Sequence, residues 1–293
     1  MSASHIAILP HRGVVSVTGE EARTFLDNLI TNDMDGLDAK PAIHGGLLTP
    51  QGKILFEFFV VRHKDGFLLD TPRETVPDLL KRLTLYRLRA KVSLNDLSSS
   101  RVVVVSWGGP PPDVPLSIAY PDPRAEGMGD RLIMAPEMAG KLAAEDEGVG
   151  AYDRHRIALG VPEPGRDYAL GDTFPHEAGF DRFAGVSFTK GCFVGQEVVA
   201  RMQHKTVVRK RVVRIAGDAP LATGADIKIG EAVIGRVGSV DGNTALALLR
   251  VDRAIEAAAK GQTLTVDSVP VAVDAEALAA YEAAAKARAA SGP

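Results

Sequence analysis

The amino-acid sequence predicts an α+β body over residues 1–206, followed by a small antiparallel β-barrel over 207–274 and a helical tail over 275–293. In the body, strand-like apolar runs alternate with amphipathic helical patterns, which is typical of α+β folds. From residue 207 onward, short segments of alternating polar and apolar residues are separated by glycine-rich turns, which favours a barrel or a sandwich. The tail is rich in alanine, the residue with the highest helix propensity.

The individual elements follow from the spacing of apolar residues and from turn and capping residues. In the body, the sequence predicts strands at 14–17, 54–62, 91–94 and 101–106, helices at about 20–31, 75–86 and 137–147, a hairpin turn at 50–53 and an irregular connection at 160–172. In the barrel, it predicts strands at 212–215, 226–229, 232–234, 245–249 and 264–266.

Composition excludes several classes of protein. The chain of 293 residues has 34 Lys+Arg against 37 Asp+Glu, so its net charge of −3 gives no electrostatic reason to expect a nucleic-acid partner. A hydrophobic fraction of 45% and a charged fraction of 24% exclude wholesale disorder. Because Cys192 is the only cysteine, neither an intramolecular disulfide nor a cysteine-based metal site fits within one chain, and no metal site is expected.

The longest apolar runs have the size of strands. None approaches the roughly 20 apolar residues that span a bilayer, so no membrane partner is expected. Residues 1–5 lack the charged region and apolar core of a signal peptide. The sequence therefore predicts a soluble protein of the cytoplasm, where thiols stay reduced.

The segment around Cys192 stands out. Cys192 lies between two glycines, Gly191 and Gly195, just before a run of good helix formers from residue 196 to 203. If a helix begins there, its positive end and the nearby Lys190 favour a thiolate, which lowers the thiol pKa. Such a cysteine serves as a nucleophile, a metal or cluster ligand, or a redox-sensitive group; the alternative is an ordinary cysteine of the core.

Other polar residues are less informative. His176 and His204 are the histidines nearest to Cys192 in sequence, but their spacing does not place either of them beside the thiol. Glu197 and Arg201 are spaced for a helical ion pair. A dense basic cluster is either a cradle for anions or a solvated face. This basic cluster consists of Arg201, Lys205, Arg209, Lys210, Arg211 and Arg214.

Residues 190–201, Lys-Gly-Cys-Phe-Val-Gly-Gln-Glu-Val-Val-Ala-Arg, closely resemble the signature of the YgfZ family. That family includes bacterial YgfZ proteins and related mitochondrial factors for iron–sulfur protein maturation, and shares its fold with the T-protein, the aminomethyltransferase of the glycine cleavage system. Residues 31–33, 48–53, 160–163 and 175–178 also resemble family segments, so that the resemblance covers about residues 14–250. Phe193 stands where many members have Tyr, and Thr206 where Gly is common.

The resemblance implies three lobes around a central cavity, the last lobe being the barrel. It also implies a tetrahydrofolate-binding protein that supports synthesis or repair of iron–sulfur proteins, with iron–sulfur client or assembly proteins as partners. Cys192 matches the family's functional residue. The other matching motif residues are Lys190, Gly191, Phe193, Gly195, Gln196, Glu197 and Arg201. Candidate folate contacts are Arg156, Glu177 and Lys190.

An alternative function is one-carbon transfer from an amine donor, as in T-proteins. Phe56 and Glu57 stand where T-proteins carry an adjacent Asp pair, and Arg156 falls near their pterin-binding acidic residue. A guanidinium cannot accept hydrogen bonds from pterin N–H groups, which argues against this alternative. The sequence leaves open whether the protein turns over a substrate; an enzymatic activity would be that of a folate-dependent transferase. A thiol-based scaffold without a small ligand is the third possibility.

Overall fold

The computed structural model describes residues 4–290, with side chains described for residues 4–287. The predictions for residues 1–3 and for the last three residues of the tail lie outside these residues. Two antiparallel sheets form the body and a closed barrel follows them. Within residues 4–290, no helix is both long enough and apolar enough to cross a membrane.

The first sheet has five strands in the order β3-β4-β5-β2-β6. Its strands are β2 (Arg12–Thr18), β3 (Ala42–Leu48), β4 (Ile54–His63), β5 (Gly66–Pro72) and β6 (Ser93–Asp96). Helices α1 (Ala22–Asp27), α2 (Gly36–Ala39) and α3 (Val76–Arg87) belong to the same part of the chain. α3 begins with Pro77 in its first turn, as the sequence predicts, and it follows a 3-10 turn at Arg73–Thr75.

Both faces of this sheet are covered because side chains alternate along each strand. On β4, Phe56 and Phe58 pack in one core cluster with residues of α1 and α3. Phe59 and Val61 point the opposite way and join a second cluster with residues of the other sheet. Glu57 shares the direction of Phe59, so a carboxylate enters the apolar layer between the two sheets.

The second sheet has four strands in the order β1-β7-β9-β8. They are β1 (His5–Leu9), β7 (Val102–Trp107), β8 (Ile118–Pro121) and β9 (Asp130–Met134). The predicted helix at 137–147 is wrong in extent: α4 (Pro136–Gly140) is short and gives way to turns, and α5 (Val149–Ala158) starts after Gly148 at φ 79°. Glycine adopts this left-handed conformation at no steric cost.

The C-terminal barrel is closed, with strand order β10-β13-β12-β11-β14-β15. Its strands are β10 (Lys210–Gly217), β11 (Asp226–Ile229), β12 (Ala232–Asp241), β13 (Thr244–Arg250), β14 (Leu264–Val266) and β15 (Val269–Val273). Helix α7 (Val251–Ala259) follows β13, and the tail helix α8 (Ala275–Ala290) packs Leu278 and Tyr281 against the barrel core. The predicted α+β fold with a C-terminal antiparallel barrel is confirmed.

Candidate functional site

Cys192 lies on an exposed turn that leads into helix α6 (Gln196–Lys205). Gly191 and Cys192 are exposed, whereas the next residue, Phe193, is buried in a cluster with Ile54 and Phe180. The alternative of an ordinary core cysteine is therefore wrong. The helix that the sequence predicts after residue 195 is present, so that the thiol is presented to solvent just ahead of a helix N-terminus.

Gly195 fixes the entry into α6. It has φ 82°, and a Cβ at this position would lie 2.7 Å from the carbonyl oxygen of Thr49 and 3.0 Å from Cα of Gly52. Gly52 itself has φ 81° and faces Val198 of α6. The hairpin turn at 50–53 therefore packs directly on the start of the signature helix, and both glycines are needed for this close backbone approach.

Lys190 anchors the other side of the turn. Its Nζ donates to the carbonyl oxygens of Ile30 at 3.1 Å and Asn32 at 2.9 Å, and it also bonds both the carbonyl and the carboxylate of Asp27. The Lys190 side chain is 1% exposed. The sequence places this ammonium beside the thiol or on a folate tail, but the structure places it against the chain that leaves α1, where it holds the Cys192 turn to the body.

Replacing Lys190 by methionine should lower the free energy of unfolding by about 3 kcal/mol, because several charge-assisted hydrogen bonds are lost and their acceptors stay partly buried. Chemical denaturation measures this loss. Lys205→Met is the matched control, since Lys205 is exposed at the far end of α6. Equal stabilities for the two variants would contradict an anchoring role for Lys190.

Glu57 forms a buried cluster between the two sheets. Its Oε1 lies 3.0 Å from Nε2 of His44, and its Oε2 accepts the hydroxyl of Tyr168. His44 Nδ1 lies 3.0 Å from the carbonyl oxygen of Phe183. Burial alone would raise the pKa of Glu57, but His44 and the charge of Arg124 hold it below its usual value. Both carboxylate oxygens are thus occupied, and neither is presented to a substrate.

Arg156 is fully buried at the junction of α5 with the barrel. Its guanidinium donates to Asp153 at 2.8 Å, to Asp167 at 2.7 Å and to the Ser239 hydroxyl at 2.5 Å. These hydrogen bonds connect the body to β12. Because the guanidinium is buried among them, a folate could contact Arg156 only if some of these bonds were broken.

Glu177, His176 and the basic cluster are also engaged. Burial raises the pKa of the Glu177 carboxyl, which accepts the backbone N–H of Phe174 at 3.0 Å. His176 Nε2 lies 3.0 Å from the side-chain oxygen of Gln203. Half of the basic cluster forms ion pairs, which favours a structural face over an anion cradle. These pairs are Arg201 with Glu197, Arg211 with Asp181 and Arg214 with Asp274.

Two neighbouring cavities open on the body, and both are lined by Glu74. The larger measures about 850 Å³ and lies between the outer face of α3, the start of β4 and residues 170–171. The second measures about 580 Å³. The larger cavity is lined by Leu55, Phe56, Glu74, Thr75, Asp78, Lys81, Arg82, Thr84, Leu85, Leu170 and Gly171.

Sequence reasoning missed this cavity as a site. Its walls come from three parts of the chain that are distant in sequence, and the only sequence pattern among them was the predicted start of α3, which indicates a helix and not a binding site. Arg156, Glu177, Lys190 and Cys192 are not among the residues that line either of the two cavities. Within the described side chains, no cluster of three or more His, Cys, Asp or Glu residues could hold a metal ion.

The fold is similar to that of a solved structure. The aminomethyltransferase T of the glycine cleavage system from Bartonella henselae superposes with a TM-score of 0.75, covering 94% of this chain and 86% of that chain at 18% identity. Residues 209–280 match the family model of the CAF17 C-terminal beta-barrel domain. The first finding agrees with a T-protein-like α+β fold, and the second agrees with the C-terminal barrel.

Curated relatives are named as mitochondrial iron–sulfur cluster assembly factors. The human factor IBA57 is 33% identical over 270 residues, which cover 82% of this chain and 76% of the relative. The homologues of Mycosarcoma maydis and Neurospora crassa are 36% and 30% identical. The matches take in 76% and 70% of this chain, but the chain spans only 60% and 52% of those two relatives.

These names also correct one expectation. The cytoplasmic location predicted from the sequence is wrong, because the relatives are mitochondrial proteins.

Proposed function

Because the chain belongs to the IBA57 family of iron–sulfur cluster assembly factors, we propose that it supports the assembly or repair of iron–sulfur proteins through the thiol of Cys192 and a bound tetrahydrofolate. We also propose that the chain is a member of the YgfZ family, which its signature at residues 190–201 resembles. Iron–sulfur client or assembly proteins would be its partners. Deleting its gene should lower the activity of cluster-dependent enzymes, and supplying the chain should restore it.

The single observation that carries the proposal is the presentation of Cys192. The thiol is exposed on a turn whose two flanks are held by buried side chains, Lys190 on one side and Phe193 on the other. A soft sulfur ligand or nucleophile that must meet a partner needs this combination of access and fixed position. A thiol kept only for packing would be buried instead.

The larger cavity offers a place for tetrahydrofolate. Its volume of about 850 Å³ lies within the range of small-molecule sites. Leu55 and Leu170 provide apolar surface for a pterin, and the Glu74 and Asp78 carboxylates are acceptors for its N–H groups. Lys81 and Arg82 on the same wall can bind the carboxylates of the glutamate tail. When bound, the reduced pterin would supply one-carbon or reducing chemistry.

Calorimetric titration with tetrahydrofolate should show saturable binding that Lys81→Glu weakens by about tenfold, since a charge-assisted contact to the tail is lost and a repulsion is added. Glu177→Gln is the control, because Glu177 does not line the cavity. Loss of binding in Glu177→Gln but not in Lys81→Glu would place the folate elsewhere. The absence of any saturable heat would favour the thiol scaffold without a small ligand.

The alternative of aminomethyl transfer has weaker support. The likeness to aminomethyltransferase T concerns the fold, and one fold hosts many activities. Glu57, the carboxylate expected at the position of the T-protein Asp pair, is 2% exposed and held by His44 and Tyr168. Folate-dependent turnover of an aminomethyl donor by the purified chain would revive this alternative.

A further inference from the structure

Helix α3 ends in an exposed tip that is both apolar and basic. Leu85 and Leu88, one helical turn apart, are 64% and 87% exposed, and Arg87 and Arg89 flank Leu88. These four residues are called the α3 tip below. The buried face of the helix, through Leu79 and Leu83, is already packed on the first sheet, so the leucines of the tip serve no core.

The backbone at the tip is strained. Leu88 follows the last residue of α3 with φ 46° and ψ −107°. This left-handed region is disfavoured for a residue with a Cβ, and the position after a helix is one that glycine normally takes. A leucine here is unfavourable both in its backbone conformation and in its exposure, and among the described residues Leu88 belongs to none of the hydrophobic core clusters. Such a residue is expected where its side chain meets something outside the chain.

The cations around the tip lack acidic partners. Within the described residues, no carboxylate forms an ion pair with Arg87 or Arg89. The Arg87 guanidinium donates to the carbonyl oxygen of Val92, at 3.4 Å. The nearby Lys91, by contrast, pairs with Glu20. The tip therefore carries positive charge that is free to meet an anionic surface.

We propose that the α3 tip is a peripheral docking site for an anionic lipid bilayer, with Leu85 and Leu88 entering the interface and the arginines meeting lipid phosphates. Exposed leucines flanked by Lys and Arg are the recognised chemistry of interfacial binding. A stable protein interface needs about 800 Å² on each partner, more than a helix end with two leucines provides. This proposal departs from the expectation that the protein has no membrane partner. That expectation rests on the lack of a spanning segment, which a peripheral contact does not require.

The first test is flotation of the full chain with vesicles. Vesicles of mixed phosphatidylglycerol and phosphatidylcholine should bind the chain, and pure phosphatidylcholine should not. Leu88→Ser combined with Arg89→Gln should weaken binding to the anionic vesicles by about tenfold or more, and added salt should weaken the wild type. Leu116→Ser is the matched control, because Leu116 is 99% exposed in a loop far from these cations in sequence.

The lone cysteine permits a second readout. In a Cys192→Ser background, Leu88→Cys labelled with an environment-sensitive fluorophore should shift to the blue on anionic vesicles, and labelled Leu116→Cys should not. Equal binding to neutral vesicles, no binding, or binding that the tip variants leave unchanged would overturn the proposal. So would a dimer that Leu88→Ser dissociates, or a tip-dependent complex with an acidic protein in place of vesicle binding, since each assigns the tip to another occupant.

Discussion

Replacing Cys192 by serine is expected to abolish the support of cluster-dependent enzymes while the fold remains intact. The thiol is exposed and belongs to none of the core clusters, so the free energy of unfolding should change by less than about 0.5 kcal/mol. Serine keeps the size of the side chain but removes the soft, ionisable sulfur on which cluster ligation, thiolate attack and redox chemistry all depend.

The measurement is complementation of a strain that lacks the protein. Activities of enzymes that carry iron–sulfur clusters, normalised to the amount of each enzyme, should return with the wild-type chain and stay near the deletion level with Cys192→Ser. Thr189→Ala is the matched control, because Thr189 is an exposed neighbour on the same turn. Full complementation by Cys192→Ser would remove the thiol from the mechanism and leave Lys190 and Phe193 as purely structural residues.

The variant Lys190→Met, measured in the same complementation experiment, tests whether the position of the thiol matters. Lys190→Met retains the thiol but loosens the turn that presents it, so it should give an intermediate activity at normal protein levels. An intermediate activity of Lys190→Met would separate two roles within the segment. Cys192 provides the reactive thiol, whereas Lys190 and Gly195 hold the turn that positions it. Activity that follows only the cellular amount of each variant would argue that the geometry has no separate importance.

The sequence predicts those parts of the structure whose signals are local. The hairpin turn at 50–53, the start of α3 and the helix after Gly195 follow from turn residues, capping and helical spacing, and all three are present. β1 was missed because it is a short stretch of five residues without a strong period. α7 was missed although its buried residues Val251, Ala254 and Ala257 recur at helical spacing. β15 was missed for the same reason as β1, and closes the barrel only by pairing with β10 and β14.

The site was predictable only in part. The signature identifies Cys192, and the glycines around it indicate a turn, but nothing local to Lys190 reveals that its ammonium reaches Asp27, 163 residues earlier. The same holds for Arg156, whose contact with Ser239 spans 83 residues. Charged residues that look free in sequence are therefore the ones most often misassigned, because their partners are set by tertiary packing.

Asp70 is the strongest example of such a hidden role, and its replacement by alanine should be the most destabilising single change considered for this protein. Asp70 on β5 is fully buried, accepting Arg12 Nε of β2 at 2.7 Å and Arg131 Nε of β9 at 2.9 Å. The hydroxyl of Tyr120 on β8 donates to it at 2.9 Å. One carboxylate thus joins the two sheets of the body.

Asp70→Ala should lower the free energy of unfolding by about 3–5 kcal/mol, because the buried Arg12 loses its counter-charge and the buried Arg131 keeps only the more distant carboxylate of Asp122, at 3.5 Å. That is a large share of the total stability of an ordinary domain, roughly 5–15 kcal/mol. Denaturant unfolding measures the loss. Asp38→Ala is the control: Asp38 pairs with Arg23 and Arg62 at the surface, where solvent screens the interaction, so the unfolding midpoint should hardly move.

The pH dependence gives an independent check on the same carboxylate. Burial alone would raise the pKa of Asp70, but the charges and hydrogen bonds of Arg12 and Arg131 hold it below its usual value. A carboxyl whose pKa is lower in the folded state stabilises the fold above its unfolded pKa of about 4, and this stabilisation is lost as the pH falls through the folded value. The wild type should therefore lose stability on acidification more steeply than Asp70→Ala.

The stability of the variant will still depend on pH, because the pKa of Asp122, which pairs with Arg124, is also lowered. Parallel acid-unfolding profiles would show that the two sheets are held together by apolar packing rather than by this carboxylate.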